Sequence, residues 1–192
     1  CSKQMLDRVI AAYGMQKGLQ YTLFRPFNWI GPRLDDPSLA AEGKSRVLTQ
    51  FIYNLLEGLP IQLVGGGMQK RCFTDIEDGI DALMAILKNE GNVADGQIFN
   101  IGNPKNNHSI RELAETLQRV LATFPGYEEK ARNALILDTP SETYYGEGYE
   151  DVEYRVPSIE KARRLLGWEP RIPLEETLRK TLSAAIGQER PA

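Results

Sequence analysis

The sequence has too few cysteines to staple a fold. Cys1 and Cys72 are the only two in 192 residues, which excludes a disulfide framework and makes a reducing cytosol the expected setting. Histidine is scarcer still. His108 is the only one, so a zinc site built from Cys and His is not expected. It falls in the polar run 103–109, which reads as a surface loop and argues against a Ser-His-Asp triad. No apolar run approaches the roughly 20 residues needed to span a bilayer, so membrane insertion is not expected. Excess positive charge is missing as well. The net charge of −3 argues against a nucleic-acid or anionic-membrane surface, although a local basic cluster can still hold a small anion. There is no internal repeat, no low-complexity linker, and no G-x-G-x-x-G between a strand and a helix. The chain also opens without Met and without a signal peptide, already inside a helical pattern, and so reads as a fragment of a longer protein.

What is present is a chain with 42% hydrophobic residues, enough for one globular unit with a substantial core. Met5, Leu6, Val9, Ile10 and Tyr13 recur at helical spacing and predict a buried helix ending at Gly14. Residues 21–24 read as a strand closed by Arg25-Pro26, and 27–33 as a loop of the kind that binds ligands beyond a strand end. Val47, Leu48, Phe51, Ile52, Leu55 and Leu56 predict a second helix, stopped by Gly58 and Pro60, with Arg46 at its start. Asp75 caps a third helix with the stripe Ile76, Ile80, Leu83, Met84 and Leu87. A strand follows at 97–101. Ser109 and Glu112 then form a capping box before Ile110, Leu113, Leu117, Val120 and Leu121. Residues 127–149 are irregular and rich in Tyr and Gly, with the form of a binding loop. Two more helices are expected, from Ser158 to Leu166 and along Leu174, Leu178, Leu182 and Ile186. Strands alternating with helices predict an α/β fold with a mostly parallel sheet, of which the amino-terminal half is expected to be missing.

The stretch that organises this pattern is 62–75, QLVGGGMQKRCFTD. Three glycines permit positive φ and close backbone approach, and Lys70 and Arg71 follow as the strand resumes. A point charge beside a planar fork suits a diphosphate. Taken alone, GGG between two strands reads first as a plain hairpin turn with solvated charges after it.

The segments SKQMLDRVI, LFRPFNWIGPR, GGGMQKRCFTDIEDGIDAL, FNIGNP and PSIEKARRLLGWEP, in that order, resemble the extended short-chain dehydrogenase/reductase family, the NAD-dependent epimerases and dehydratases of nucleotide sugars. Within it RPFNWIGPRLD, QKRCFTDI and YYGEGYEDVEYR resemble the UDP-glucuronic acid decarboxylase branch. The resemblance implies the carboxyl-terminal part of a Rossmann-type doubly wound parallel sheet plus a smaller substrate-binding part. Residues 1–26 and 72–101 would contribute to the former, and 27–71 and 102–192 mainly to the latter. It implies NAD as cofactor and UDP-glucuronic acid as substrate, with a UDP-4-keto-pentose as product, in lipid A modification and polymyxin resistance. A homo-oligomer is implied for the complete protein.

Lys3 matches the lysine of the family's Tyr-x-x-x-Lys pair, serving both catalysis and cofactor binding, and its tyrosine would lie two residues before Cys1. Asn28, Arg46, the run Gln62, Leu63, Val64, Gly65, Gly66, Gly67, Met68, Gln69, Lys70, Arg71, and Tyr149 would contact the substrate, and Arg155 would be catalytic. The plainer readings are that Asn28 stabilises its turn, Arg46 is a solvated helix-end charge, Tyr149 packs its loop and Cys72 is an inert buried thiol. Lacking the tyrosine and the glycine-rich cofactor loop, the fragment alone is expected to be inactive. The alternatives are a UDP-xylose synthase or another nucleotide-sugar epimerase or dehydratase, and an inactive sugar-nucleotide-binding or assembly module.

Overall fold

The structure, a computed structural model, describes residues 2–35, 38–140 and 155–188. Helix α1 (Ser2–Lys17) leads into β1 (Thr22–Pro26), and an ion pair between Asp7 and Arg25 ties the two together. β2 (Trp29–Ile30), the short α2 (Ser38–Ala41), α3 (Val47–Glu57) and β3 (Ile61–Val64) follow. After the glycine turn come β4 (Lys70–Cys72), β5 (Thr74–Asp75), α4 (Ile76–Lys88) and β6 (Gln97–Ile101). β7 (Asn107–Ser109), α5 (Ile110–Leu121), α6 (Glu128–Asn133) and β8 (Ile136–Thr139) complete the middle of the chain. Beyond residue 154 lie α7 (Glu160–Leu166) and α8 (Leu174–Gln188).

The α/β class is as the sequence pattern implies. β1 pairs with β6, β2 with β5 and β3 with β8, all parallel, whereas β4 and β7 pair antiparallel. In a parallel pair both carboxyl ends emerge at the same edge, where open α/β sheets place their ligands. The register Pro26↔Ile101 fixes that edge for β1 and β6.

Two apolar cores form. One gathers Leu48, Phe51, Leu55, Ile61, Leu63, Leu113, Leu117, Leu178 and Leu182 from α3, β3, α5 and α8. The other joins Ala82, Phe99, Ile101, Ile159, Ala162 and Trp168 from α4, β6, α7 and the turn after it. α7 therefore packs with the β1 and β6 region rather than with the elements on either side of it in sequence.

Two helices face differently from their apolar stripes. On α1 no side chain is buried, and Met5 and Leu6 are about 60% exposed (62% and 59%). On α4 the buried positions are Asp78, Gly79 and Ala82, while Ile80, Met84 and Leu87 face outward. Periodicity identifies the apolar side of a helix but not whether a partner covers it, and none does among the described residues. α1 also runs one turn past Gly14, and the left-handed residue that ends it is Gly18, at φ 66°.

The capping box of α5 is complete. Ser109 Oγ accepts from the Glu112 N–H at 3.0 Å, and Glu112 Oε2 accepts from the Ser109 N–H at 2.7 Å. That bond holds the Glu112 carboxyl below its usual range. Ser109→Ala is expected to cost about 1 kcal/mol of stability, measured by urea unfolding. A loss under about 0.3 kcal/mol would show that water replaces the cap.

Candidate functional site

The glycine turn is not a two-residue hairpin. Gly65, Gly66 and Gly67 have φ of 58°, 71° and 66° in one tight turn, which three consecutive side-chain-bearing residues would adopt only under strain. A Cβ on Gly67 would stand 3.0 Å from the backbone nitrogen of Arg111. The turn thus lies directly against the start of α5, and it joins β3, which pairs with β8, to β4, which pairs with β7.

Beside it is a cleft of about 450 Å³ lined by Asn28, Ser45, Gln50, Phe51, Asn54, Gln62, Val64, Gln69, Arg71 and Phe73 among others. Strand alternation decides which residues of the run reach it. Ile61 and Leu63 point into the core, both fully buried, while Gln62 and Val64 face the cleft. Leu63 therefore packs its side chain beneath the cleft and would meet a ligand there only through its backbone. The same alternation separates Lys70 from Arg71. Arg71 lines the cleft, is the only charged side chain that does so among the described residues, and donates to the Lys70 carbonyl at 2.8 Å. Lys70 turns to the other face, where it is exposed. Of the two adjacent cations only Arg71 lines the cleft. Gly65, Gly66, Gly67 and Met68 do not line the cleft, and Met68 is 69% exposed.

Arg46 does not enter the cleft either. Its guanidinium donates to the carbonyls of Leu34 at 2.6 Å and Trp29 at 3.3 Å, and its backbone N–H donates to Asp35. It is not merely solvated, because it clasps the loop after β2. Asn28 takes φ 41°, and its amide donates to the Cys72 carbonyl at 3.4 Å. This is the turn-stabilising role, filled from a position that also lines the cleft. Cys72 is fully buried and its thiol is pushed up by burial, as an inert thiol should be.

Lys3 and Arg155 belong to a different edge. Lys3 is exposed one helical turn before Asp7, whose bridge to Arg25 sets that turn beside the carboxyl end of β1. Arg155 is exposed, two residues before Pro157. A Cβ on Gly102 would come within 2.8 Å of side-chain atoms of both Pro157 and Phe27, so these two side chains close on residue 102 only because it is glycine. Asn100 reinforces the meeting by donating to the Ser158 carbonyl at 3.2 Å. Both residues thus approach the carboxyl ends of β1 and β6. Tyr149 lies outside the described residues.

Sequence reasoning missed three features. His108 is in strand β7, directly opposite Arg71, rather than in a loop. Gln50 and Asn54, one turn apart on α3, form a polar face toward the cleft in which Gln50 Nε2 donates to Asn54 Oδ1 at 2.9 Å and Asn54 donates to the Pro60 carbonyl. An i, i+4 amide pair inside an apolar stripe was the signal available. A second cavity of about 510 Å³ lies on the other side of α3, lined by Arg33, Asp35, Tyr53, Glu57 and Thr181 among others. Gly31, Pro32 and Arg33 of the loop 27–33 reach it, but none of the individually named candidate residues does, and the carboxylates of Asp35 and Glu57 would repel a diphosphate. Among the described residues no group of His, Cys, Asp and Glu could hold a metal ion, and no helix is long and apolar enough to cross a membrane.

Comparison with known proteins places this geometry. The NAD dependent epimerase/dehydratase family matches residues 1–102. A crystal structure of PbgP3 protein from Burkholderia pseudomallei is 46% identical, superposes with a TM-score of 0.80, and covers 97% of this chain and 52% of its own. UDP-glucose 4-epimerase from Thermotoga maritima, solved with UDP-glucose, is 25% identical over 98% of this chain and 53% of its own, with a TM-score of 0.79. A UDP-glucuronic acid 4-epimerase from Bacillus cereus, in complex with UDP-glucuronic acid and NAD, shares the fold at 22% identity, covers 95% and 50%, and has a TM-score of 0.76. The chain spans about half the length of these proteins.

Proposed function

Because the chain belongs to the NAD dependent epimerase/dehydratase family, we propose that the full-length protein oxidatively decarboxylates UDP-glucuronic acid to a UDP-4-keto-pentose, with NAD as oxidant. The observation that carries the reading is the cleft, in which one guanidinium, several side-chain amides and two phenylalanines surround a space of about 450 Å³. Such a lining suits a uracil ring and one diphosphate better than a polyanion or an apolar ligand. The choice of decarboxylation over epimerisation rests on the likeness of RPFNWIGPRLD, QKRCFTDI and YYGEGYEDVEYR to the decarboxylase half of the bifunctional polymyxin-resistance protein ArnA. A role in lipid A modification with 4-amino-4-deoxy-L-arabinose and a homo-oligomeric assembly belong to the same proposal. So do a Rossmann part from 1–26 and 72–101 and a substrate part from 27–71 and 102–192.

NAD, when bound, supplies the oxidant for C4 of the sugar. Of the described residues Lys3 suits its reactive end, because the carboxyl edge of β1 and β6 is where such a cofactor lies in open sheets. None of them forms a glycine-rich turn between a strand and a helix that would cradle its pyrophosphate. The ammonium of Lys3 would favour the phenolate of a neighbouring tyrosine, making it a base for the C4 hydroxyl proton. Oxidation leaves a C4 carbonyl β to the C5 carboxylate. Loss of CO₂ then sends the electrons of the breaking bond toward that carbonyl oxygen, and a proton at C5 completes the product.

Arg155 has an electrostatic part in this scheme, since a guanidinium is a poor proton donor at neutral pH. It would hold the C5 carboxylate and favour charge moving toward the C4 oxygen. Too tight a hold on the ground state would oppose the reaction.

The test is to mix the full-length protein with UDP-glucuronic acid and NAD⁺ and follow NADH, CO₂ and nucleotide-sugar mass together. The expected result is one NADH and one CO₂ per UDP-4-keto-pentose. CO₂ without net NADH would indicate a UDP-xylose synthase, and a mass-neutral isomer an epimerase. If UDP binds but nothing turns over, the protein is a binding or assembly module. Arg155→Ala is expected to slow CO₂ release on the order of 100-fold while UDP affinity stays within about threefold. Parallel losses in both would make Arg155 a nucleotide anchor.

A further inference from the structure

The glycine turn carries no side chain of its own to fix its shape. Three successive residues at positive φ have the largest backbone freedom to lose, and something outside the turn must hold it. Two bonds from α5 do so. The Ile110 N–H donates to the Gln69 carbonyl at 3.2 Å, and Arg111 Nε donates to the Gly66 carbonyl at 3.0 Å. The other end of the same guanidinium donates to Asp138 on β8 at 2.5 Å. Arg111 sits in the first turn of α5, where the partial positive charge of the helix end disfavours a cation. A cation in that place is accounted for by Gly66 and Asp138, not by the helix.

From this geometry we propose that Arg111 is a positioning residue for nucleotide-sugar binding, and that it sets the glycine turn and hence the placement of Gln69 and Arg71 in the cleft. The inference rests on the function proposed above. It goes further by naming a residue that lines no part of the cleft and was no candidate in the sequence. Gln69 is three residues beyond Gly66 and two before Arg71, so the turn sets where both side chains enter. Asp138 extends the clamp to β8, where Thr139 donates to Gln62 Oε1 at 2.8 Å and fixes another lining side chain. One guanidinium thus ties the turn between the two lining strands, β3 and β4, to β8. Without it the turn would order only when ligand binds, so the cost of ordering would appear in affinity and not in the chemical step.

The experiment uses the full-length protein with Arg111→Gln, Arg111→Lys and Asp138→Asn. The UDP dissociation constant, kcat and KM for UDP-glucuronic acid, and hydrogen exchange of the amides at 65–69 without ligand are measured. Arg111→Gln is expected to raise the UDP Kd and KM by at least tenfold with kcat within twofold, and to accelerate exchange at 65–69. Lysine has one point of attachment where arginine has two, so Arg111→Lys should not restore affinity. Asp138→Asn, which leaves the Gly66 bond in place, should raise Kd by less than Arg111→Gln does. An unchanged Kd in Arg111→Gln would overturn the proposal, and so would a kcat loss equal to the KM change. If the wild type binds no UDP, the proposed function falls. Exchange at 65–69 then decides the clamp alone, and unaltered exchange would overturn it.

Discussion

Arg71→Ala in the full-length protein is expected to weaken UDP binding by about 1.5 to 3 kcal/mol, roughly a 10- to 150-fold rise in Kd. Arg71 is the only charged side chain lining the cleft among the described residues, so no neighbour there can take over its diphosphate contact. Its strand is held on one side by β7, with Arg71 opposite His108, and the side chain starts from a fixed backbone. Charge-assisted bonds from a fork are about twice as strong as neutral ones and fall with salt. Arg71→Lys should therefore recover part of the loss at low ionic strength and less at high. Lys70→Ala, on the opposite face, should change Kd by less than about threefold. Isothermal titration with UDP at matched salt measures each. A Kd for Arg71→Ala equal to wild type would show that the cleft is not the diphosphate site.

The second large effect is on stability. Asp78 is a carboxylate on α4 with 3% exposure, and it holds the chain where α7 turns toward α8. Its Oδ1 accepts the Arg171 N–H and its Oδ2 the Ile172 N–H, both at 3.0 Å, while its backbone carbonyl accepts the Trp168 indole N–H at 2.9 Å. Asp78→Ala keeps the indole bond but leaves two backbone donors without acceptors. At roughly 1 to 3 kcal/mol for each, the expected loss is about 2 to 6 kcal/mol.

The loss should also depend on pH. Burial pushes the Asp78 carboxyl above its ordinary value of 3.8, against the lowering effect of the two backbone bonds. With the folded value raised, the contribution of Asp78 is fully present below pH 3.8 and falls as pH rises through the folded value. The gap between wild type and Asp78→Ala is therefore expected to be widest in acid and to narrow across that window, read from urea unfolding at a series of pH values. A gap that widens with rising pH would mean that the backbone bonds outweigh burial. A gap under 1 kcal/mol throughout would mean that water already serves the two N–H groups.

Much of this protein was legible in one dimension, because the signals concerned are local. The spacing of Leu48, Phe51, Ile52 and Leu55 specified α3 and its buried face, and the Ser109 and Glu112 pair specified where α5 begins. Asp75 announced the start of α4 and does cap it, accepting from the Glu77 N–H at 2.8 Å. The short β8 and α6 were not legible. Ile136 to Thr139 is a four-residue strand supported by its pairing with β3 and by the Arg111 bond to Asp138, long-range contacts that no local window contains.

The order of the motifs, the triple glycine and the scarcity of Cys, His and net positive charge pointed to the family and to the ligand class proposed for it, because each depends only on which residues are present and at what spacing. Tertiary structure decided which of those residues can act. Pleating sends Arg71 into the cleft and Lys70 away from it, and buries Leu63 beneath the turn it belongs to. Arg46, a cation in the right neighbourhood, is spent on the Leu34 and Trp29 carbonyls. Arg111, 40 residues beyond Arg71, arrives at Gly66 only because β7 folds back on β4 and brings the start of α5 to the turn. A side chain's direction and its distant partners are set by pairing across the fold, and pairing across the fold is not written in the spacing of residues along the chain.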